Sequence, residues 1–479
     1  MPSVKLDTTS GTSATSGTRA RSLASVAAIP RPSFKSNFAT VFGGQVAMAA
    51  VALVSEICYA RLLGPEGRGQ ISLCRMAIAL GILVGGLGGE APIIIWTADT
   101  KKKPSQWLSA VFVWGLVGGV IACCLWSIVF WRWHPAFLRG ITSPLGFLVL
   151  ITIPISIFFS YLFSMLTGQE RFRLRAGLAL AEQGARLLGV VALVLLFGKT
   201  AEMAVSGNLF GVLVAGSLTA IFLRKPLLNV WKARLTGEEL RAALSLGLRS
   251  QLGNLATFFN YRLDVFIVNY FLNPAQVGLY AVGVMVSESL WQFPHAAALA
   301  LFPRTARTVN EGASEFTCLV IRQVFFLVCV MAAAMALLSP WVIPLVFGAR
   351  FSPSVPVIWW ILPGTVAFAI GKVMSADLVG RSKPEYASTF ALVSLVATVI
   401  LDLLLIPRMG IQGAALASSV AYILDTALIA IALKNELKVS WKSLFVPSIA
   451  ELASYRRAIP RCISFLRSAI RPLRSSGTA

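Results

Sequence analysis

Residues 249–307 read RSQLGNLATFFNYRLDVFIVNYFLNPAQVGLYAVGVMVSESLWQFPHAAALALFPRTAR. Two apolar segments, each long enough to cross a bilayer, are joined in this stretch by a short turn. The first segment carries Arg262 and Asp264 near its middle, and the second carries Glu288. A charge at that depth costs several kcal/mol unless it faces protein or water. These residues therefore mark a candidate functional site in a membrane-spanning chain.

The first segment has one polar face. At about 100° per residue, four polar side chains fall on the same side of a helix. They are Gln251, Asn254, Arg262 and Asn269. Asp264 points roughly the other way, and residues two apart do not face each other, so Arg262 and Asp264 each need a partner on another helix, in a water-filled cavity or on a ligand. In the second segment Glu288 shares a face with Gln292 and His295, and this face is also expected to line a cavity.

The composition is typical of a polytopic helical membrane protein. Of 479 residues, 57% are hydrophobic and 13% are charged, and long apolar runs recur along the chain. Apolar segments are predicted at 38–61, 70–96, 107–131, 144–166, 176–198, 201–223, 249–272, 277–303, 317–348, 353–380, 385–407 and 410–433. Most Lys and Arg residues fall in alternate loops, and the opposite loops hold few, among them Arg68. This pattern favours twelve spans with both termini cytoplasmic, and it explains most of the net charge of +22 without a nucleic-acid partner.

The chain is expected to form two pseudo-symmetric lobes of six helices each. Three residues after the first span align, at an offset of 209 residues, with three residues after the seventh: Leu63 with Leu272, Pro65 with Pro274, and Gly69 with Gly278. An even number of spans per repeat gives both lobes the same orientation, so the pseudo-axis runs along the membrane normal and the binding site is expected between the lobes. The predicted parts are a disordered cytoplasmic tail (1–36), the first lobe (37–223), a cytoplasmic amphipathic linker (224–248), the second lobe (249–433) and a basic cytoplasmic tail (434–479).

Other charged residues lie inside the predicted spans. Asp264, Lys372 and Asp377 are each expected to be paired structurally, with a network between helices or a cation or proton site as the alternative. Asp402 is close to a predicted helix end and is expected at the membrane surface. The second span also holds glycines at four-residue spacing, which favours close helix packing: Gly81, Gly85 and Gly89.

Cofactor, metal and catalytic chemistry find no support in the sequence. No glycine-rich loop followed by Lys-Ser or Lys-Thr is present, so no nucleotide site is expected. The cysteines lie mostly inside apolar segments, and the two histidines, His134 and His295, are far apart, so neither a disulfide framework nor a metal site is expected. The longest internal hydrophilic segment, the predicted linker, is too short for a catalytic domain, which argues against an enzyme.

Several stretches carry a resemblance to a known transporter family. They are ARLLGPEGRGQ (60–70), YRLDVFIVNYFLNPAQVGLYAVG (261–283), ESLWQFPHAAALALFP (288–303), VFGARFSPS (346–354), GRSKPEYAS (380–388) and LLLIPRMGIQGAALASSVAYI (403–423). In their order, spacing and placement at helix ends, the chain resembles the polysaccharide (O-antigen and exopolysaccharide) flippases of the multidrug/oligosaccharidyl-lipid/polysaccharide exporter superfamily. The resemblance covers spans 1–2 and 7–12. It implies a twelve-helix transporter that exports a polyprenyl-diphosphate-linked oligosaccharide across the bacterial cytoplasmic (inner) membrane by alternating access, with membrane lipids and a polysaccharide polymerase or export machinery as partners.

The resemblance suggests a role for the arginines in the spans. A lipid-linked diphosphate is anionic, and Arg stays charged and can hold phosphate oxygens through two hydrogen bonds. Arg262 is expected to contact the substrate, or else to pair with a carboxylate of its own lobe. Arg75 is its counterpart in the first lobe, and it either contacts the substrate or extends to the outer membrane surface. The expected cavity residues are Arg262, Arg75, Gln251, Asn254, Asn269, Glu288 and Gln292.

Two other functions fit parts of the pattern. A drug/cation antiporter shares the fold, so the fold alone does not settle the substrate. The arginines inside the spans weigh against it, because they would repel a cationic drug. An integral membrane enzyme or a scaffold of polysaccharide assembly is the third hypothesis. Neutralising Arg262 and Arg75 without a phenotype would favour it.

Overall fold

The computed structural model describes residues 34–98, 104–133, 136–223, 237–292, 294–295, 311–381 and 383–446. These residues form helices and short turns, with no β-strand among them, which confirms the all-α class. The helices are α1 (Phe34–Gly85), α2 (Glu90–Ala98), α3 (Pro104–Ser127), α4 (Ser143–Gly168), α5 (Phe172–Phe197), α6 (Ala201–Phe222), α7 (Gly237–Phe271), α8 (Pro274–Glu288), α9 (Glu311–Phe347), α10 (Ser354–Gly380), α11 (Pro384–Met409), α12 (Ile411–Leu437) and α13 (Trp441–Phe445). A π-helical turn, Ile128–Trp133, extends α3, and a 3-10 turn, Ser289–Trp291, extends α8.

Most of these helices can cross a membrane. By length and hydropathy, 9 of the described helices qualify: α1, α3, α4, α5, α6, α9, α10, α11 and α12. Helix α1 bends sharply at Gly64, whose φ of 70° and ψ of −173° are not helical, so it contains two spans. Helix α7 is too polar to qualify by composition, and α8 is too short by itself, with 15 residues. Counting both limbs of α1 and adding α7 and α8, the described helices agree with the twelve predicted spans.

The outward surface of the helices is apolar. Large side chains on three different spans point away from the protein, since Leu116 is 71%, Leu196 is 76% and Leu345 is 73% exposed. A soluble protein rarely exposes so much contiguous apolar surface. Contact with lipid chains accounts for it, and the chain is a multi-pass membrane protein.

The two repeat turns pack against each other. A Cβ atom on Gly69 would lie 1.7 Å from the carbonyl oxygen of Pro274, and one on Gly278 would lie 2.0 Å from that of Pro65. The offset of 209 residues exchanges these two contacts, because it relates Pro65 to Pro274 and Gly69 to Gly278. The facing atoms belong to the backbone and cannot rotate away, so glycine is required at both positions. The turns therefore form a pseudo-two-fold contact between the first half of the chain (α1–α6) and the second half (α7–α12). We call this side of the molecule the turn end.

The second limb of α1 is interrupted at the opposite end. The helix ends at Gly85, and the chain then turns through Leu87 and Gly88, which have φ values of 48° and 68°. Span 2 is therefore discontinuous, although the glycine spacing predicted one closely packed helix. Gly85 does pack closely, since a Cβ there would lie 2.6 Å from the carbonyl oxygen of Gly118 in α3. A Cβ on Gly88 would lie 1.9 Å from the carbonyl oxygen of Gly247, so the interruption packs directly on the backbone of α7.

The predicted linker and C-terminal tail are partly helical. Residues 237–248, expected in an amphipathic surface linker, are the beginning of α7, which continues without a break into span 7. Helix α12 continues to Leu437, beyond the predicted start of the tail, and Leu444 of α13 joins the buried cluster that contains Cys318. The remaining parts of the predicted tails and linker lie outside the described residues, at 1–33, 224–236 and 447–479.

Candidate functional site

The Arg262 guanidinium forms a bidentate ion pair with Glu288, which connects α7 to α8. Its two terminal nitrogens donate hydrogen bonds to the two carboxylate oxygens at 3.1 and 3.0 Å. The Arg262 side chain is 35% exposed and that of Glu288 is 14% exposed. Of the two alternatives for Arg262, the structure shows the ion pair, and it leaves part of the guanidinium facing a cavity.

In the first half of the chain, one carboxylate holds two arginines. Glu56 pairs with Arg68 at 2.5 Å and also with Arg75. The Arg75 guanidinium lies 4.8 Å from the centre of the Tyr59 ring, and Tyr59 donates a hydrogen bond of 2.6 Å to Asn208 of α6. Arg75 is therefore held inside the protein and does not extend to the membrane surface. Arg68, which the charge pattern placed in a loop, is buried in the second limb of α1.

The charged residues of both halves surround one cavity of about 180 Å³. Its charged lining residues are Glu56, Arg68, Arg75, Arg262, Asp264 and Glu288. We call this space the inter-half cavity. Arg75 follows the α1 bend by about 15 Å of helix, which is half the thickness of the apolar core of a bilayer. The cavity thus presents three guanidinium groups, of which Glu56 pairs with two and Glu288 with the third.

The polar face predicted on α7 faces the first half of the chain. Asn269 donates hydrogen bonds of 2.9 and 2.8 Å to the carbonyl oxygens of Phe137 and Arg139. Gln251 donates to the carbonyl oxygen of Leu83. These two amides, placed near opposite ends of span 7, hold the halves together and do not line the inter-half cavity. The other two amides of the predicted cavity set are exposed: Asn254 and Gln292.

Asp264, Lys372 and Asp377 do not form a network between helices. Asp377 is fully buried, and it accepts hydrogen bonds from Arg381 at 2.7 Å and from Thr317 at 2.8 Å. Lys372 lies among aromatic rings in a separate cavity of the second half. The network fails because Asp377 is neutralised one turn along its own helix, so it needs no partner on α7.

Asp264 belongs instead to a buried acidic pair. It accepts hydrogen bonds from the Tyr280 hydroxyl at 2.5 Å and from the Val265 amide at 2.7 Å. Asp402 of α11 is fully buried and close enough to Asp264 for their charges to interact, so the expectation that it lies at the membrane surface is wrong. Neither Asp402 oxygen has a hydrogen-bond partner among the described residues. No third Asp, Glu, His or Cys joins the pair to form a metal-binding group within that same part of the chain.

The sequence interpretation missed Glu56 and Arg68 as site residues. A signal was available, because an intramembrane carboxylate needs a cation. Residues 38–60 around Glu56 contain no Lys or Arg, so its partner had to come from another span. Arg68 and Arg75 are seven residues apart, about two helical turns, and therefore lie on one face of span 2. Arg68 was missed because the Pro65 turn made its surroundings look like a loop.

Comparisons with known proteins agree with this architecture. A family model described as polysaccharide biosynthesis protein matches residues 58–356. The chain is 23% identical over 192 residues to the probable low-salt glycan biosynthesis flippase Agl15 of Haloferax volcanii, covering 39% of this chain and 41% of that protein. It is 22% identical over 286 residues to the putative O-antigen transporter of Shigella flexneri, covering 59% of this chain and 68% of that protein. The first of these matches thus spans less than half of the relative's length.

Two solved structures share the fold. The lipid II flippase MurJ, in an inward closed conformation, matches with a TM-score of 0.68 at 15% identity, covering 90% of this chain and 99% of that chain. A multidrug resistance MATE family transporter of the MOP superfamily, in an inward-facing conformation, matches with a TM-score of 0.63 at 15% identity, covering 82% of this chain and 96% of that chain. Because the family model covers more than half of the chain, the chain belongs to the polysaccharide biosynthesis protein family.

Proposed function

We propose that the chain is a flippase that moves an oligosaccharide linked to a lipid diphosphate across the membrane by alternating access. The observation that carries this proposal is the convergence of Arg68, Arg75 and Arg262, from both halves, on one cavity. A diphosphate must be shielded from the apolar core of the bilayer during its passage. Guanidinium groups supply charge and directed hydrogen bonds at that depth, and they stay protonated there.

The carboxylates in the cavity fit the same role. Glu56 and Glu288 pair with the arginines in this conformation, so three buried cations are not left without partners. An incoming diphosphate replaces the carboxylates as the partner of the arginines. These contacts lower the free-energy cost of removing the diphosphate from water. When the diphosphate leaves, the carboxylates return to the arginines, and release does not strand an unpaired charge.

The size of the cavity supports movement of the two halves. At about 180 Å³ the inter-half cavity is smaller than a typical ligand pocket of about 300–1,000 Å³. An oligosaccharide therefore requires the halves to separate at one end. Backbone contacts hold the halves together at both ends, through Gly69 and Gly278 at the turn end and through Gly88 and Gly247 at the other. Breaking one set while keeping the other gives the two states of an alternating-access cycle.

The proposed direction of transport rests on the orientation of the chain in the membrane and on the membrane potential. The basic loops support a cytoplasmic membrane location with both termini inside, which places the turn end outside. An anion that leaves a negative interior gains about 2.3 kcal/mol per charge per 100 mV. Export of a diphosphate therefore needs no coupling ion, and the buried Asp264 is the candidate position for a proton or cation if one is used. A polysaccharide polymerase or export complex is the expected consumer of the product.

The similarity to a protein named as a flippase and to one named as an O-antigen transporter supports this proposal. A drug/cation antiporter is the alternative on the same fold. A cationic drug entering the inter-half cavity would compete with Arg68, Arg75 and Arg262 for the carboxylates that already pair with them. The flippase function gives these arginines a direct role, and the antiporter function does not.

The test is the leaflet location of the lipid-linked oligosaccharide in cells depleted of this protein. We expect the lipid to accumulate and to remain inaccessible to a sugar-specific probe added to intact spheroplasts. Restoring the protein should make the lipid accessible again within the same cells. Normal accessibility in depleted cells that lack other flippases would contradict the proposal and favour the antiporter.

A further inference from the structure

A second cavity lies entirely within the second half of the chain. It encloses about 440 Å³ between α7, α10, α11 and α12. We call it the lobe cavity. Its lining includes Asn260, Tyr261, Lys372 and Asp425, and it shares no residue with the lining of the inter-half cavity. Tyr261 and Arg262 are neighbours in α7, so this helix separates the two cavities.

Two residues that line the lobe cavity each carry a buried hydrogen-bond acceptor without a partner. Asn260 is 7% exposed and Asp425 is 3% exposed, and the Oδ1 atom of each is buried without a hydrogen bond to the described part of the chain. Buried polar atoms are almost always paired, and an unpaired one costs about 1–3 kcal/mol. Both atoms are acceptors, so the group that satisfies them must be a donor. A phosphate ester oxygen or a hydrocarbon chain does not fit this requirement, whereas hydroxyl groups do.

The lobe cavity also contains one cationic donor, Lys372, close to three aromatic rings. The Lys372 ammonium lies 4.8 Å from the ring centre of Trp291, 4.9 Å from that of Phe368 and 5.4 Å from that of Tyr261. It also interacts electrostatically with Asp425. The ammonium has three donors, and its hydrogen bond to the Tyr261 hydroxyl is long, at 3.5 Å. A ligand that carries both acceptors and donors can therefore accept hydrogen bonds from Lys372 and donate hydrogen bonds to the two unpaired oxygen atoms.

We propose that the lobe cavity binds a sugar residue of the transported glycan, an inference that rests on the proposed function. Sugar hydroxyls both donate and accept, so they can satisfy Asn260, Asp425 and Lys372 together. The C–H faces of a sugar ring pack on aromatic rings, whose faces carry negative charge density. The volume falls within the range of small-molecule sites, about 300–1,000 Å³. The Lys372 ammonium repels an organic cation from these rings, whereas it can donate hydrogen bonds to sugar hydroxyl groups.

The test compares two probes on the purified full-length protein. The first is the free oligosaccharide released by mild acid from the lipid-linked intermediate of the source cells, and the second is farnesyl diphosphate, which carries no sugar. Titration calorimetry should show that Asn260→Leu and Asp425→Leu weaken oligosaccharide binding about tenfold or more and leave farnesyl diphosphate binding unchanged. Arg262→Gln should weaken farnesyl diphosphate binding and leave oligosaccharide binding unchanged. Asn260→Leu should also keep or raise the melting temperature, because it removes an unpaired buried acceptor.

The outcomes separate this inference from the proposed function. Wild-type protein that binds farnesyl diphosphate but no oligosaccharide would overturn the sugar site alone, as would unchanged oligosaccharide binding in both lobe-cavity variants. Oligosaccharide binding without farnesyl diphosphate binding would support the sugar site and contradict the diphosphate role of the inter-half cavity. Tetraphenylphosphonium that binds in competition with the oligosaccharide, and is lost in Asp425→Asn, would identify a cation site and overturn the inference.

Discussion

Replacing Arg262 by alanine is expected to abolish polysaccharide export while the protein still accumulates in the membrane. The side chain makes two charged hydrogen bonds to Glu288 and has part of its guanidinium open to the inter-half cavity. Hydrogen bonds to charged groups contribute about 1.5–3 kcal/mol each, so losing a bidentate contact to the diphosphate slows transport on the order of 100-fold. Surface polysaccharide, measured against the membrane level of the protein, checks this prediction.

A double variant distinguishes contact with the substrate from simple pairing with Glu288. Arg262→Ala alone leaves an unpaired carboxylate in the cavity, which repels an anion whether or not Arg262 itself contacts the substrate. Arg262→Gln combined with Glu288→Gln removes both charges and restores a neutral, hydrogen-bonding pair. If Arg262 acts on the substrate, the double variant stays defective. Recovery of export in the double variant would reduce Arg262 to a structural partner of Glu288.

A matched control is available on α5. Arg186 pairs with Glu182 one turn away on the same helix, and both side chains are partly exposed. Replacing both members of such a pair by amides leaves no unpaired charge behind. Arg186→Gln combined with Glu182→Gln should therefore leave export close to the wild-type level. A comparable loss in this control would show that any lost ion pair inside the spans stops transport.

Adding a methyl group at the turn end is expected to have the second-largest effect. In Gly69→Ala the new Cβ meets the carbonyl oxygen of Pro274, and in Gly278→Ala it meets that of Pro65, at 1.7 and 2.0 Å. Backbone atoms must move apart to relieve these clashes, and overpacking of this kind costs about 1–3 kcal/mol. The closed turn end then loses population by about 10- to 100-fold, and the transport cycle slows accordingly.

Cysteine labelling measures this shift directly. In a background without native cysteines, Met76→Cys places a thiol on the inter-half cavity. Membrane-impermeant maleimide applied at the turn end should label it faster in Gly69→Ala and Gly278→Ala than in wild type. The variant with both Gly69→Ala and Gly278→Ala should be labelled no faster than either single variant, because both substitutions loosen one shared contact. Gly253→Ala is the control, since nothing lies within 4 Å of its added Cβ. Equal labelling in all these proteins would contradict the role of the contact.

Hydropathy and the repeat predicted the number of spans and the equivalence of the two turns, but not the contact between them. The alignment of Pro65 and Gly69 with Pro274 and Gly278 came from sequence spacing, and the structure places these residues against each other. The interruption at Gly88 was not predicted, because glycines in a membrane span are as compatible with close helix packing as with a turn. Only the contact of Gly88 with the backbone of α7 shows that this glycine belongs to a turn and not to a closely packed helix.

The partners of the charged residues were harder to predict. Sequence periodicity gives the direction of a side chain on its own helix, but not the helix that faces it. Arg262 therefore had several possible carboxylates, and the packing of α7 against α8 selects Glu288. Asp402 was misplaced for the same reason. Its position near a helix end does not show that residues of other helices bury it. Asn260 and Asp425 belong to the lobe cavity through helix packing that no local pattern indicates.

The most direct measurement is transport by the purified protein in liposomes that contain a polyprenyl-diphosphate-linked oligosaccharide. A glycosidase added outside would report the fraction of lipid in the outer leaflet over time. Wild-type protein should make the lipid of the inner leaflet accessible, and the variant with both Arg262→Gln and Glu288→Gln should match protein-free liposomes. Equal rates with and without wild-type protein would contradict the flippase function. Equal rates in wild type and the double variant would contradict the role of the inter-half cavity.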